Sequence, residues 1–393
     1  MAYITPDLLT WAIERSGLDR SAFAKQIHVQ ENVLASWENG LAYPPFNKAR
    51  EMAQVLRVAF GYFYLPERPK DEVPLPDLRR LPQSPPLTPS VDFLDVLYQA
   101  MAQHDWYRAY QTDEGASPVK FVAKFTEHDS ATDIAADIRA TLRMDNALRR
   151  KSYDYENYLT KLTQNAEKAG VIVMRRAVVG SSHRALDRKE FQGFAISDPM
   201  APLVFINGQD YQAPKIFTLL HELAHIWIGR SGISLIDETL QSPALQVELL
   251  CNAVAAEALV PKVEFESAWN ARRTGYEQID RLARHFLVGA LVIIRRAREL
   301  NKITPNTFFE FWDEATQRIE AYVMAQAAEK QKEKETAKDK QRGDFYTTLE
   351  ARNSPTFVTA LLNDVKQGGT LLNDAARLLS MKVETVVKAT GGT

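Results

Sequence analysis

The strongest constraint on this chain is the stretch Phe217-Thr218-Leu219-Leu220-His221-Glu222-Leu223-Ala224-His225-Ile226-Trp227-Ile228-Gly229. Its apolar residues surround the helix axis almost completely, which predicts a helix buried in a core. His221 and His225 are four residues apart, so they stack on one face and can present both imidazoles to one metal ion. Glu222 follows the first of them and would lie beside that ion, where it can take a proton from water. Two histidines and a glutamate are costly inside a core without such a task. The plainer reading, two satisfied core histidines and an exposed glutamate, leaves that cost unexplained.

A catalytic zinc commonly takes three protein ligands and keeps one position open. A second helix is predicted between Pro243 and Pro261, since proline suits a first helical turn and stops a helix from continuing. On it, Glu248 and Asn252 share a face, whereas Glu257 points half a turn away. Glu248 is the expected third ligand, and Asn252 is expected to orient a ligand or Glu222. Asp237 and Glu238, in the connection between the helices, are its rivals. Cys251 reads as a small buried residue, because a fourth protein ligand would close the site to water.

With these residues in place, the chain resembles the ImmA/IrrE-type zinc metallopeptidases. The resemblance is carried by Phe217 to His225 and by Glu248-x-x-Cys251-Asn252-x-x-Ala255-Ala256-Glu257-x-Leu259-Val260-Pro261. The family's third-ligand glutamate stands four residues before that asparagine, which implies Glu248. Phe191 to Ile196 and Pro202 to Asn207 resemble the family's strands before the metal helix. Val254 and Val260 depart from the family's usual Phe and Met, both mild apolar changes. Near the N-terminus, Phe23-Ala24-x-x-Ile27 … Val33-x-x-x-Trp37-Glu38-x-Gly40 … Pro45 resembles an XRE-type helix-turn-helix.

The expected fold is α+β and mostly helical: a helix-turn-helix bundle, a zincin-like catalytic domain with a small sheet, and a helical C-terminal appendage. Residues 1–65 form the bundle and 66–90 a Pro-rich linker. Residues 91–325 form the metallopeptidase domain, 326–343 a charged tether and 344–393 a small helical module that reads as a docking element. Strands are expected at Val171 to Met174, Gln192 to Ile196 and Leu203 to Ile206. The last enters the metal helix almost directly. By analogy with zincins, which the resemblance implies, it is the candidate edge strand, on which an extended substrate would add its backbone. The run Arg295, Arg296 and Arg298 reads as a solvated helix face.

Charge narrows the partners. The 393-residue chain has a net charge of −2, which gives no global attraction to nucleic acid or an anionic membrane. From Val29 to Asn47, across the predicted groove helix, there is no Lys or Arg, although DNA recognition leans on such residues. Gln30, Asn32 and Ser36 are the candidates for base edges, and Lys25, Lys48 and Arg50 for phosphate. The competing reading of this bundle is a protein-contact or dimerisation module. A single cysteine excludes an intramolecular disulfide and suits a reducing compartment. The N-terminus lacks a signal-peptide pattern and no apolar run is long enough to span a bilayer, so the expectation is a cytoplasmic protein with no membrane partner.

The chemistry implied is zinc-assisted peptide hydrolysis, with His221, His225 and Glu248 as ligands and Glu222 as general base. His183 and Tyr211 are the candidate donors to a developing oxyanion. The resemblance implies cleavage of an XRE-type repressor in a stress or mobile-element circuit. The alternative it leaves open is a transcriptional regulator or antitoxin-like protein. In that reading the chain binds DNA or an operon-partner toxin, such as a PIN-domain ribonuclease-like toxin, and the zinc is structural or sensory. The retained Glu222 favours catalysis. Self-cleavage in the Pro-rich linker has no positive sign in the sequence.

Overall fold

The computed structural model describes residues 1–69, 73–76, 89–180, 184–210, 212–234, 243–336 and 345–391. It divides into two compact units. The first comprises Met1–Pro74 and Pro85–Tyr98, the second Leu75–Ser84 and Gln99–Thr393. The fold is α+β and mostly helical, as the sequence predicts.

The first unit holds α1 (Pro6–Ser16), α2 (Arg20–Gln26), α3 (Glu31–Glu38), α4 (Phe46–Leu56) and a 3-10 turn at Phe60–Tyr64. Local chemistry sets the breaks. Pro6 opens α1 and Gly17 closes it in the left-handed region at φ 69°. Asp19 caps α2 by accepting from Ser21 N and Ala22 N. Leu9, Ile13, Phe23, Leu34, Trp37, Met52 and Phe63 close the core. Lys48, a candidate for phosphate contact, donates to Ile27 O at 2.6 Å and pairs with Glu51 at 2.8 Å.

After α5 (Val91–Asp113) come α6 (Ala131–Thr141), α7 (Asn146–Arg150) and α8 (Tyr155–Ala169). The sheet and metal helix follow: β1 (Ile172–Arg176), β2 (Gly193–Ile196), β3 (Leu203–Asn207), α9 (Gln212–Trp227), β4 (Gly232–Ser234) and α10 (Pro243–Leu259). Then come α11 (Lys262–Ala268), α12 (Glu277–Phe286), α13 (Ala290–Glu299) and α14 (Pro305–Thr336). The chain finishes with α15 (Phe345–Asn353), α16 (Pro355–Gln367), α17 (Leu372–Leu379) and α18 (Val383–Ala389).

The sheet order is β1-β3-β2-β4. β3 runs parallel to β1, placing Val173 opposite Val204, and antiparallel to β2, placing Ala195 opposite Val204. This corrects the expected edge: Leu203 to Ile206 is an interior strand, hydrogen-bonded on both sides. Its five residues are all buried, the continuous apolar pattern of a strand covered on both faces. Among the described residues the edges are β1 and β4, and β4 was not anticipated at all. The tight turn between β2 and β3 is set by Asp198, whose Oδ1 accepts from Met200 N at 2.8 Å and Ala201 N at 3.0 Å.

The metal helix is held from several sides. Phe121 stacks on Trp227 at 4.0 Å, and Trp227 Nε1 donates to Asp137 Oδ2 at 2.8 Å. The C-terminal carbonyls of α10, orphaned by helix geometry, accept from arginines. Arg139 Nη1 lies 2.7 Å from Ala258 O and Arg296 Nε 3.0 Å from Val260 O. Arg296 also pairs with Glu257. The arginine run is thus not a solvated face: Arg296 is buried as the cap of α10, and Arg295 lies over the Trp312 ring at 5.7 Å.

The C-terminal helices dock within the second unit. Gln103 on α5 donates to Asn353 Oδ1 at 2.9 Å and Leu378 O at 2.6 Å. Arg176, at the end of β1, donates to Gln103 Oε1 at 2.9 Å, to Arg352 O at 3.1 Å and to Asn353. Ser354 donates to Glu167 on α8 at 2.9 Å.

Candidate metal centre

α9 and α10 bring His221, His225 and Glu248 together, buried, with their ligand atoms all within 4.8 Å of one another. His221 Nε2 lies 3.1 Å from Glu248 Oε2, and His225 Nε2 lies 3.1 Å from Glu248 Oε1. The two Nε2 atoms are 3.2 Å apart. Three donor groups therefore converge on one point from two helices, as the spacing of four on α9 and the phase of α10 require.

The donor chemistry fits a cation. Asn252 Oδ1 is 2.9 Å from His221 Nδ1 and accepts its hydrogen, so the Nε2 lone pair is directed at the carboxylate. Lone pairs on nitrogen and on carboxylate oxygens repel unless a proton or a metal stands between them. Glu248 Oε1, His225 Nδ1 and Glu222 Oε1 are buried and have no hydrogen-bond partner among the described residues. Buried polar atoms are normally satisfied, so this concentration of orphans marks a place built for a positive ligand. Two imidazoles and a carboxylate form a three-ligand set suited to zinc.

Without a metal, a proton takes the cation's place. Burial pulls His221 down, but the charge and hydrogen bond of Glu248, with Glu222 and Asn252, outweigh it and hold the imidazole above its ordinary value. Burial pulls His225 below its ordinary value, against the opposing pull of Glu248. Burial would push Glu248 up, but the two histidines bring it down to about 2. For Glu222, burial dominates. His221 opposes it, the charge of Glu248 adds to it, and the carboxyl is pushed up to about 8. Burial likewise raises Cys251, which leaves it a buried thiol in the wall, as expected.

Two participants were missed by sequence reasoning. Ser234, at the end of β4, donates to Glu222 Oε2 at 3.5 Å and lies 3.4 Å from His225 Nε2. Nothing in the pattern around it signals a strand. Gly193 of β2 lies under Glu222: a Cβ there would meet Glu222 Oε1 at 2.7 Å, Phe205 O at 2.8 Å and Thr218 Cγ2 at 2.9 Å. A glycine inside a strand is the signal for such an approach.

The other candidates lie elsewhere. His183, Tyr211, Asp237 and Glu238 fall outside the described residues. Lys25, Gln30 and Asn32 are exposed on the first unit, and Ser36 is half-buried, its hydroxyl donating to Val33 O at 2.7 Å. No helix among the described residues is long and apolar enough to cross a membrane.

Two family models match the chain. Residues 353–390, the helices α16 to α18, are similar to a domain of unknown function (DUF8813). Residues 166–298 are similar to the IrrE N-terminal-like domain, a peptidase family (Peptidase_M78). No curated protein matches the chain. His221, Glu222, His225, Glu248 and Asn252 all fall inside the second match, so the cluster lies in the part of the chain that is similar to the IrrE N-terminal-like domain.

Proposed function

We propose that the chain is a zinc-dependent endopeptidase that cleaves a regulatory, repressor-like protein in a stress or mobile-element control circuit. The observation that carries this reading is Glu222. It is fully buried beside the three-ligand cluster, it is not one of the three, and one of its oxygens has no partner among the described residues. A purely structural metal site has no use for such a group.

His221, His225 and Glu248 would hold the zinc, and Asn252 fixes the tautomer of His221. Zinc bound there supplies Lewis acidity toward a water and a substrate carbonyl. Glu222 accepts the proton of the attacking water and delivers it to the leaving amine as the C–N bond breaks. Ser234 steadies the carboxyl for both transfers. The value of about 8 for Glu222 belongs to the metal-free site. A neighbouring cation lowers it toward neutrality, where a group can both take and return a proton.

The first unit is read as an XRE-type bundle that contacts protein, whether substrate or a second copy. Its α3 carries no Lys or Arg, and Arg20 is engaged with Glu38 at 3.1 Å, which leaves little charge for phosphate. The test compares new protein N-termini in cells expressing wild type or Glu222→Gln, with zinc measured in both purified proteins. A fragment seen only with wild type is the expected result. Equal zinc with no difference in fragments would overturn the peptidase reading in favour of a regulator or antitoxin.

A further inference from the structure

Three helix pairs in this chain turn by one geometry. In α2–α3, α12–α13 and α17–α18 the first helix ends on a residue in the left-handed region: His28 at φ 53°, Leu287 at φ 53° and Ser380 at φ 51°. The next amide donates back to an alanine carbonyl: Val29 N to Ala24 O at 3.0 Å, Val288 N to Ala283 O at 3.1 Å and Met381 N to Ala376 O at 2.9 Å. An extended residue, Gln30, Gly289 or Lys382, then starts the second helix. Burial keeps the same register. Ile27, Phe286 and Leu379 before the turn and Leu34, Ile293 and Val386 on the second helix are all buried. The same turn follows α4 and α6 but leads only into pieces of five residues. α2–α3 is the pair whose sequence resembles a helix-turn-helix, and α17–α18 repeats its frame at the other end of the chain.

The second helices differ in what they offer a partner. α3 carries Glu31 and Glu38 and no Lys or Arg. α13 lies against α14, with Arg295 over the Trp312 ring and Arg296 buried, so its bases are spent inside the fold. α18 is open: Val386 is its one buried residue, and Lys382, Glu384 and Lys388 are exposed. Among the described residues neither lysine side chain is held in a hydrogen bond or ion pair. Nearby Arg377 is exposed and pairs only within α17, with Asp374 at 3.1 Å. The first helix and the turn are fixed from behind. Gln99 Nε2 on α5 donates to Leu378 O at 2.7 Å, and Ser380 Oγ donates to Gln99 Oε1 at 2.6 Å. That anchoring holds α17 and leaves the outer face of α18 uncovered.

We propose that α17–α18 is the duplex-DNA contact of this chain, with α18 laid in the major groove and Lys382 and Lys388 on the flanking phosphates. At a rise of about 1.5 Å per residue the two lysines stand about 9 Å apart along the helix. The major groove of B-DNA is about 12 Å wide, so the side chains reach both rims. The major groove of an A-form RNA duplex is too narrow to admit the helix. Two phosphate contacts give weak, salt-sensitive binding, which suits holding the chain on DNA more than reading a sequence. Neither zinc nor Glu222 takes part, so the peptidase reading and this one fail separately.

The test titrates the full chain against a fluorescein-labelled, mixed-sequence DNA duplex of about 20 base pairs, two helical turns. Wild type should bind at about 50 mM salt, and log K against log salt should fall with a slope of about −2, near 0.9 per phosphate contact. Lys382→Ala with Lys388→Ala should weaken binding at least about tenfold and flatten most of that slope. Glu384→Gln removes a carboxylate facing the phosphates and should act in the opposite sense, tightening binding. Lys262→Ala on α11 and Lys25→Ala on α2 change exposed lysines elsewhere and should leave both affinity and slope as in wild type. All of these side chains are exposed, so the denaturation midpoint should not move. An RNA duplex of the same length should bind at least about tenfold more weakly. No binding by wild type, an unchanged slope in the double variant, an equal loss in Lys25→Ala, or equal binding to the RNA duplex overturns the proposal.

Discussion

Two of the buried polar clusters in the second unit differ in what they leave over. At the interface with the C-terminal helices, Arg176, Gln103 and Asn353 engage one another, with Arg352 O, Leu378 O and Leu349 O as further acceptors. None of these three side chains has an orphaned buried atom. At the metal centre, Glu222 Oε1, His225 Nδ1 and Glu248 Oε1 are orphans among the described residues, and nitrogen and carboxylate lone pairs face each other. A closed network specifies how two elements dock; an open one facing a single point specifies a ligand. The difference lies in where the hydrogen bonds end, since both clusters are buried and both carry charge.

The sharpest way to break that contrast is to remove the groups that make the centre open. Glu222→Gln should keep zinc and reduce hydrolysis by roughly 10²–10⁴-fold, the usual scale of a general acid–base. Glu248→Ala should lose both zinc and activity, as read by metal content per chain. Full zinc in Glu248→Ala would show that the third ligand is elsewhere, with Asp237 and Glu238 first in line.

Gly193→Ala tests the geometry behind the centre. The added methyl meets Glu222 Oε1 and the fixed carbonyl of Phe205, so the carboxyl must shift. A misplaced catalytic group costs on the order of 10²-fold, with zinc content unchanged. Wild-type turnover in this variant would mean that Glu222 is not held by β2.

Acid titration sharpens the role of the proton as the metal's stand-in. His221 is held above its ordinary pKa by Glu248, so in the metal-free protein its ion pair contributes stability that is fully present below the unfolded value. That stability is lost as pH rises through the folded value. Zinc must expel this proton, so its affinity should fall about tenfold per pH unit below the His221 pKa. Chelator competition across the acid-to-neutral range measures the slope, and a flat profile would place the proton elsewhere.

Asn353→Ala is the corresponding cut in the closed network. It leaves Arg176 and Gln103 short of an acceptor, at a cost of about 1–3 kcal/mol. The denaturation midpoint should fall and the C-terminal helices should become more open to protease, while zinc binding stays as in wild type. Loss of zinc in this variant would show that the two clusters are coupled.

Periodicity and spacing made the metal helix, the ligand pair and the glutamate on α10 legible, because helix geometry turns a separation of four into a shared face regardless of the rest of the chain. The Asp19 cap, the Gly17 stop and the β2–β3 turn at Asp198 were equally local. The edge strand was misjudged because position in a sheet is not a local property. β3 is interior only because β1 returns parallel to it while β2 folds back on its other side. Arg296 was misjudged for a related reason: a basic run says nothing about which carbonyls lie across the interface.

By itself, then, the sequence determined the chemistry this protein can hold: two imidazoles, two carboxylates and an amide, at separations that only helices make coherent. The tertiary structure alone decided how that chemistry is framed. Ser234 and Gly193 reach Glu222 from strands far from each other in the chain. Pro76 meets Ile233 across a still longer separation. Such contacts depend on how elements pack, and no one-dimensional period encodes packing.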